Sequence, residues 1–266
     1  MQEHPVPPAV PSTTTGTLAD LPFRNAARRP DHVVAARPVD GQWEDVTAAR
    51  FADDVAALAK GLIAAGIQPG ERVGLMSKTR YEWTLADFAI WAAGGVVVPI
   101  YETSSAEQVR WILADSEAVA VILETPHHEA VVAEVRSELA GLRSVWQIDG
   151  GAIADLAASG SSVSQEDLET RRAVSDRATV ATIIYTSGTT GRPKGCELTH
   201  GNLRDLAENT TARLAGIVAA PEASTLLFLP LAHVFARFIE VLCIESGAKL
   251  AHSSDLKNLL ADLASY

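Results

Sequence analysis

Apolar residues along this chain recur at helical spacing in some segments and form short continuous runs in others, which predicts helices separated by short buried strands. Between residues 48 and 65 apolar side chains recur at helical spacing, and Gly66 follows as a stop signal. The predicted strands are 72–76, 96–100, 118–123, 144–148 and 181–185; the predicted helices among them are 83–93, a helix capped by Ser104 or Ser105, and 129–139.

The predicted strands are continuous runs rich in valine and isoleucine, and helices of ten or more residues lie between them. Continuous apolar runs are typical of parallel strands that are covered on both faces, whereas half-exposed strands alternate apolar and polar residues. The pattern therefore predicts an α/β fold of layered parallel sheets with flanking helices.

Changes in composition divide the chain into four regions. Residues 1–17 are rich in proline and threonine and are expected to form an extended or mobile tail. Residues 18–150 are predicted to form a first α/β subdomain, and residues 180–266 carry the motifs described below. Residues 151–179 combine a Gly/Ser stretch with acidic residues, which predicts a polar surface connection containing one helix.

The chain has 266 residues, 47% of them hydrophobic, and a formal net charge of −11, which excludes a disordered protein. The acidic balance argues against nucleic acid and anionic membranes as general partners. Two widely separated cysteines, Cys196 and Cys243, are expected of a reduced intracellular protein. The sequence shows neither a secretion signal nor an apolar stretch of membrane-spanning length, so we expect a cytoplasmic protein.

One predicted strand leads directly into Thr186-Ser187-Gly188-Thr189-Thr190-Gly191-Arg192-Pro193-Lys194-Gly195. Glycines let backbone N–H groups approach an anion, hydroxyls add donors, and Lys194 adds positive charge. This inventory suits a triphosphate or pyrophosphate, although flexible surface loops share the composition. The Walker loop is excluded, because Pro193 stands where that motif needs a glycine. We therefore expect a return strand at 197–199 and a helix opening near His200.

The segment from Tyr185 to Gly195 resembles the signature phosphate loop of the adenylate-forming superfamily, which includes acyl-CoA synthetases, luciferases and peptide-synthetase adenylation domains. Residues 93–101 (AGGVVVPIY) resemble an early motif of the same superfamily. Residues 102–108 (ETSSAEQ) and 229–237 (LPLAHVFAR) are similar to its long-chain fatty-acid–CoA ligase branch in particular. The resemblance extends over nearly all of the chain after the tail.

This resemblance implies a two-step activation of a fatty acid by ATP, in which the carboxylate expels pyrophosphate and the thiol of CoA then attacks the acyl-adenylate. Thr186 matches a position that contacts Mg²⁺, and His233 matches a histidine between the adenylate and the acyl pocket. With Lys194, His233 is a candidate catalytic residue; a solvated lysine and a hydrogen-bonded core histidine are the alternatives. The residues that the resemblance implies for binding the β- and γ-phosphates are Ser187, Gly188, Thr189, Thr190, Gly191 and Lys194.

Other residues near these motifs have structural interpretations. Between His233 and Glu240 there is no acid, where amino-acid-activating relatives carry an aspartate, and this favours an apolar substrate. Cys196 has no neighbouring histidine and acid, so we expect it to be structural. Arg171-Arg172 is expected on a solvated face. Three tryptophans are predicted to belong to the core: Trp83, Trp91 and Trp111.

Several motifs that the superfamily needs are absent: the adenine segment, the T-G-D ribose motif, the hinge to a small C-terminal domain and the late lysine. Residues 255–266 have the pattern of an amphipathic helix. We therefore expect the chain to be the N-terminal part of a longer ligase, with 180–266 as a truncated phosphate-loop and partial acyl-pocket segment. Such a chain would be inactive alone.

The expected partners are thus a fatty acid, ATP, CoA and the missing C-terminal part of the enzyme, with no nucleic acid. Three alternatives stay open: a catalytically incomplete nucleotide-binding or interaction module, an aryl-CoA ligase, and an acyl-AMP ligase that hands its product to a carrier protein. Peripheral membrane association of the parent enzyme is also left open, and acyl chain length cannot be predicted from these residues.

Overall fold

The computed structural model describes residues 7–186 and 192–266, which fold into two β-sheets and the helices that pack against them. The helices are α1 (Leu21–Arg28), α2 (Ala48–Ala64), α3 (Tyr81–Ala92), α4 (Ala106–Asp115), α5 (Pro126–Val135), α6 (Ala152–Ser159), α7 (Gln165–Arg172), α8 (His200–Arg213), α9 (Ala215–Val218), α10 (Val234–Ser246) and α11 (Leu259–Ser265). The strands are β1 (Val33–Val39), β2 (Gln42–Thr47), β3 (Arg72–Met76), β4 (Val96–Ile100), β5 (Ala120–Leu123), β6 (Ser144–Gln147), β7 (Val180–Thr186), β8 (Lys194–Thr199), β9 (Ser224–Leu227) and β10 (Lys249–His252).

The larger sheet has six strands in the order β6-β5-β3-β4-β7-β8. Strands β3 to β7 run parallel, and β8 returns antiparallel to β7. All five predicted strands belong to this sheet, and Ser105 is the residue that caps α4 by accepting a hydrogen bond from the Gln108 N–H. The predicted α/β class is confirmed, with antiparallel strands added at the edges.

The smaller sheet has the order β2-β1-β10-β9 and consists of strands that the sequence pattern did not predict. Strands β1 and β2 form an antiparallel hairpin whose turn residues, Asp40 and Gly41, have φ values of +49° and +79°. Strand β10 pairs in parallel with β1 on one side and with β9 on the other. The second sheet therefore brings residues near 35 beside residues near 250.

Helix α3 lies at the centre of the core, and nearly all of its residues are buried. Its apolar cluster includes Val73 of the six-stranded sheet and Leu250 of the four-stranded sheet. Trp83 and Trp91 are fully buried here, as predicted, and the Trp91 indole N–H donates to the Ala181 carbonyl at 2.9 Å. This helix therefore joins the packing of both sheets.

Residues 151–179 differ from the predicted connection with one polar helix, because they form two helices, α6 and α7. Leu156 of α6 and Leu168 of α7 are buried. The predicted solvated face at Arg171-Arg172 is wrong: the Arg171 guanidinium donates to the Ile67 carbonyl at 2.6 Å, and Arg172 pairs with Asp20 at 2.9 Å. The segment is thus packed against the preceding elements, while the division into subdomains stays a prediction.

The ends of the described chain also have defined surroundings. Two backbone N–H groups of the N-terminal tail, those of Ala9 and Val10, donate to the Asn209 side chain on α8. Helix α11 begins at Leu259, four residues later than predicted, because residues 256–258 form a turn. Among the described helices, none combines the length and the apolar character that crossing a membrane requires.

Candidate active site

A cleft of about 310 Å³ opens at the carboxyl ends of the parallel strands β4 and β7. Tyr101 follows the last residue of β4, and Thr186 is the last residue of β7. In open α/β sheets ligands bind outside the carboxyl ends of the strands, where the connections leave a crevice. The cleft is lined by Tyr101, Ser104, Gln108, Ile112, Ile184, Tyr185, Thr186, Pro193, His233 and Val234.

The structure describes both ends of the predicted phosphate loop, whereas Ser187, Gly188, Thr189, Thr190 and Gly191 lie outside the described residues. Thr186 and Lys194 occupy opposite positions of the β7–β8 ladder, and both are exposed. Directly opposed residues of an antiparallel pair project from the same face. The Thr186 and Lys194 side chains therefore leave the ladder on the same face where the loop begins and ends, and Thr186 lines the cleft.

The chain after the loop folds as the position of Pro193 predicts. Lys194 opens a return strand, β8, instead of a helix, and α8 begins at His200. The Thr199 hydroxyl caps this helix by accepting from the Asn202 N–H. The return strand and the helix start are therefore confirmed, although the strand begins three residues earlier than expected.

His233 is exposed at the cleft, so the alternative of a core histidine is wrong. It is the N-cap of α10, and its Nδ1 accepts a hydrogen bond from the Phe235 N–H at 3.2 Å. A neutral imidazole that accepts at Nδ1 carries its proton on Nε2. The ring can therefore act as a hydrogen-bond donor through Nε2, at the positive end of a helix dipole.

The turn before His233 is fixed by Thr79, a residue that the sequence pattern did not single out. The Thr79 hydroxyl donates to the Leu229 carbonyl at 2.7 Å and accepts from the Leu231 N–H at 3.1 Å. Thr79 is buried and follows β3, so the six-stranded sheet holds the segment that leads to His233. No local motif marks this role, since the partners are 150 and 152 residues away.

Helix α4 contacts both ends of the phosphate loop, and no sequence motif predicts these contacts. Trp111 is half-buried and packs against the core, and its indole N–H donates to the Pro193 carbonyl at 2.9 Å. Asp115 accepts a hydrogen bond from the Tyr185 hydroxyl at 2.6 Å. Burial and the Asp115 carboxylate raise the pKa of Tyr185, so this phenol stays protonated and donates.

Fully buried charges lie one helical turn beyond His233. Arg237 of α10 and Asp87 of α3 are both unexposed, and their Nη1 and Oδ2 atoms lie 2.8 Å apart. This is a charge contact without the alignment of a directional hydrogen bond. Glu240 is buried beside them, and burial raises its pKa well above the ordinary value. The contact between Arg237 and Asp87 holds the first turns of α10 against α3.

A larger hollow of about 550 Å³ lies between α2, α3 and α6, away from the motif residues. Its charged side chains are occupied by one another, since Arg50 pairs with Asp54 at 2.8 Å and Arg80 with Asp149 at 2.8 Å. Paired arginines offer little to an incoming anion. The smaller cleft at β4 and β7 is therefore the better candidate for phosphate chemistry.

Thr186 is the residue that the sequence analysis associates with Mg²⁺. Within residues 7–186 and 192–266 no group of three His, Cys, Asp or Glu side chains could hold a metal ion. Protein sites for Mg²⁺ commonly combine one or two carboxylates with the phosphates of the substrate. The single Thr186 hydroxyl therefore fits an auxiliary contact to an ion carried by a nucleotide, and does not fit a resident metal centre.

The fold and this cleft define the class of adenylate-forming domains, and comparisons with known proteins agree. The profile of the family described as AMP-binding enzyme matches residues 22–264, and the chain belongs to that family. It is 45% identical over 269 residues to the long-chain-fatty-acid–CoA ligase FadD15 of Mycobacterium tuberculosis and to that of Mycobacterium bovis. The alignments cover 100% of this chain but 45% of each relative, so the chain spans less than half of their length.

Solved structures share the fold. A long-chain-fatty-acid–CoA ligase, FadD1, from Archaeoglobus fulgidus superposes with a TM-score of 0.78 at 22% identity, over 96% of this chain and 50% of that chain. A protein from Rhodopseudomonas palustris, described as a putative long-chain-fatty-acid CoA ligase, gives a TM-score of 0.77 at 25% identity. That match covers 92% of this chain and 59% of the other.

Proposed function

We propose that this chain acts as the N-terminal part of an ATP-dependent fatty-acid–CoA ligase. The observation that carries the proposal is the meeting of Thr186, at the start of the phosphate loop, with His233 in one cleft at the carboxyl ends of β4 and β7. These two residues lie 47 positions apart in sequence, and the same family resemblance associates both of them with adenylation.

The proposed reaction begins when a fatty carboxylate oxygen attacks the α-phosphorus of ATP. A new bond forms between the carboxylate oxygen and the α-phosphorus. The bond from the α-phosphorus to the oxygen that bridges the α- and β-phosphates breaks, and pyrophosphate leaves with the developing negative charge. Lys194 and the hydroxyls and N–H groups of residues 186–191 would stabilise that charge, as preorganised donors do in phosphoryl transfer. Magnesium would arrive with the nucleotide, with Thr186 as one oxygen contact.

His233 would orient the reacting groups by donating from Nε2 to a substrate oxygen. In the second step the CoA thiol gives up its proton to solvent and its sulfur attacks the acyl carbon. A C–S bond forms, the C–O bond to the α-phosphate breaks, and AMP leaves. Exposed apolar side chains next to His233 support an apolar acid: Val234 is 42% and Phe235 53% exposed. Exposed aromatic surface beside a polar cleft is typical of a binding region for an apolar group. Cytoplasmic location and CoA as the acceptor are part of this proposal.

The first test is phosphate binding by the chain itself. Tripolyphosphate and MgATP should bind to the wild-type chain, and Lys194→Ala should weaken both by about tenfold or more, because a charged hydrogen bond is removed. Lys257→Ala is the matched control, since Lys257 is exposed in the turn before α11. Isothermal titration calorimetry measures each affinity, and equal affinities for wild type and Lys194→Ala would refute the assignment of the loop.

The second test is activity in a chimera in which this chain replaces the N-terminal 45% of Mycobacterium tuberculosis FadD15. With Mg²⁺ the chimera should catalyse ATP–pyrophosphate exchange that depends on added fatty acid, and it should form acyl-CoA when CoA is supplied. The chain alone should show no exchange. Lys194→Ala should abolish the activity of the chimera, and Lys257→Ala should preserve it.

The outcomes separate the alternatives. Phosphate binding without exchange in the chimera would favour a catalytically incomplete nucleotide-binding module. Acyl-adenylate that accumulates in the presence of CoA would favour an acyl-AMP ligase, and preference for aromatic acids an aryl-CoA ligase. Robust fatty-acid-dependent exchange by the isolated chain would contradict the proposal that it is an incomplete part.

A further inference from the structure

The two ends of the phosphate loop are attached to the same helix. Tyr185, directly before the loop, donates its hydroxyl to Asp115 at 2.6 Å. Pro193, near its far end, accepts from the Trp111 indole N–H at 2.9 Å. Trp111 and Asp115 lie four residues apart on α4, and side chains at that spacing are neighbours on one helix face. One face of α4 therefore holds both strands that lead into the loop.

A third contact strengthens the far end. The Arg192 guanidinium carbon lies 4.8 Å from the centre of the Trp111 ring, at cation–π distance. Trp111 thus contacts two successive residues, through its N–H and through its ring face. Because the Trp111 indole is half-buried, water competes less for its hydrogen bond to Pro193 than it would at an exposed side chain.

The contact at Pro193 bears directly on Lys194. The Pro193 carbonyl and the Lys194 N–H belong to the same planar peptide unit. Holding the carbonyl oxygen fixes the orientation of that plane, and pairing of Lys194 with Thr186 in the β7–β8 ladder fixes its position along the strand. The direction in which the Lys194 side chain leaves the backbone is therefore set by Trp111 on one side and by β7 on the other.

We propose that α4 is a clamp for the phosphate loop, in which Trp111 and Asp115 are positioning residues that preorganise Lys194 and Thr186 for phosphate. The inference rests on the proposed function, because it assigns the loop to polyphosphate. Preorganisation lowers the conformational cost of ordering donors around an anion when it binds. Neither clamp residue needs to touch the ligand.

The experiment uses the full 266-residue chain with inorganic tripolyphosphate as the probe. Trp111→Phe keeps an aromatic ring for Arg192 but removes the N–H donor, and Tyr185→Phe removes the hydroxyl at the other end. Each variant should weaken tripolyphosphate binding about fivefold or more, as expected for the loss of one hydrogen bond, which is to a neutral carbonyl for Trp111 and to the Asp115 carboxylate for Tyr185. Trp146→Phe is the matched control, because Trp146 is a half-buried indole on β6, at the opposite edge of the sheet.

Hydrogen exchange of the unliganded chain supplies a readout that overall stability does not. In Trp111→Phe, exchange should accelerate in the peptide that contains Lys194 and Gly195, while peptides from β3 and β5 keep the wild-type rates. The Trp146→Phe control should leave exchange near Lys194 unchanged. A general acceleration in all strands would mean that Trp111 acts on global stability, and this would overturn the proposal.

The inference and the proposed function fail in different ways. If wild type binds tripolyphosphate and Lys194→Ala does not, while Trp111→Phe and Tyr185→Phe bind like wild type, the clamp is wrong and the phosphate loop stands. If wild type itself does not bind tripolyphosphate, the proposed function is wrong and the clamp falls with it. Weakened binding in both clamp variants with normal binding in Trp146→Phe supports the inference.

Discussion

The two cysteines differ in their surroundings. Cys196 is exposed on β8, two residues after Lys194, whereas Cys243 is buried in α10. Burial raises the pKa of the Cys243 thiol to about 11, and alkylation requires the thiolate. At about pH 8 we expect iodoacetamide to modify Cys196 alone in the native chain and both thiols after unfolding, as counted by intact-mass spectrometry. Native Cys196→Ser should take up no label; labelling of that variant would contradict the burial of Cys243.

The residues that meet at the cleft could be predicted because continuous motifs carry them. Thr186 and Lys194 belong to one segment with a strand before it and a proline near its end, and His233 belongs to a second segment. The fold of the segment after the loop also has a local cause. Pro193 stands where the Walker loop has a glycine, and this argues against a helix that begins at Lys194. Their chemical roles stay predictions until the binding tests are made.

Trp111 and Asp115 could not be assigned from the sequence, because their partners are distant. Their hydrogen bonds join residues 82 and 70 positions apart. The acceptor for Trp111 is a backbone carbonyl, which every residue has, so no side-chain pattern announces it. The helix position of Trp111 predicts a core residue, and its partial exposure follows from the packing of α4 beside the loop, which apolar spacing does not specify.

At the scale of elements, α2 and the α6 segment approach so closely that only glycine fits between them. A Cβ on Gly61 would overlap the Leu156 carbonyl, and a Cβ on Gly160 would lie 2.5 Å from the Gly61 amide nitrogen. The obstacles are backbone atoms, which cannot rotate away as a side-chain end can. The two segments therefore share a backbone-to-backbone contact that explains why residues 151–179 are part of the packed structure.

Gly61→Ala should therefore lower the free energy of unfolding by about 2 kcal/mol, the usual cost of overpacking, despite the better helix propensity of alanine. Urea denaturation measures this change. Gly216→Ala is the matched control, because Gly216 lies in α9 with no atom near its would-be Cβ, and it should be neutral or slightly stabilising. Equal stabilities of Gly61→Ala and wild type would show that the α2–α6 spacing is wrong.

The strands that the apolar pattern predicts differ in composition from those that it does not predict. Strand β4 combines four β-branched residues with Pro99, is buried on both faces, and has the bounds that the sequence predicts. Strand β2 is half exposed and mostly polar, and β10 has four residues without a β-branched side chain, so apolar periodicity cannot detect either. A usable signal was present at Asp40-Gly41, since Asp-Gly is the preferred turn of a two-residue hairpin.

At the scale of the whole molecule, a buried charge cluster formed by Arg237, Asp87 and Glu240 joins helix α10 to helix α3, which packs against both sheets. Arg237 can neutralise one of its two acidic neighbours, and in the described part of the chain its ion pair is with Asp87, while no ion pair involves Glu240. An unpaired carboxylate at zero exposure would cost several kcal/mol, so protonation of Glu240 is the less costly state. His252 of β10 adds no charge, because burial lowers its pKa to about 4.

The cluster makes global stability depend on pH with a defined sign. Burial raises the pKa of Glu240 in the folded chain, so its contribution to stability is complete below the ordinary carboxyl pKa and decreases as pH rises towards the folded value. Glu240→Gln imitates the protonated form without titrating. Its free energy of unfolding, relative to wild type, should therefore increase by up to about 1.4 kcal/mol per pH unit above the ordinary carboxyl pKa.

Urea denaturation of both chains at matched ionic strength, from about pH 5 to about pH 8, measures this difference, and parallel pH profiles would refute a protonated Glu240. Asp87→Asn is the contrasting variant, because it removes the carboxylate that pairs with Arg237 and leaves Glu240 as the remaining acidic neighbour of that guanidinium. It should lose about 3–5 kcal/mol where Glu240 stays protonated, the cost of a buried charge without its partner, and the loss should shrink as pH rises and Glu240 ionises beside Arg237. The two variants should therefore differ in the sign of their effect on stability, and both effects should change with pH, because burial raises the pKa of both carboxyls and the two groups interact with each other and with the same guanidinium.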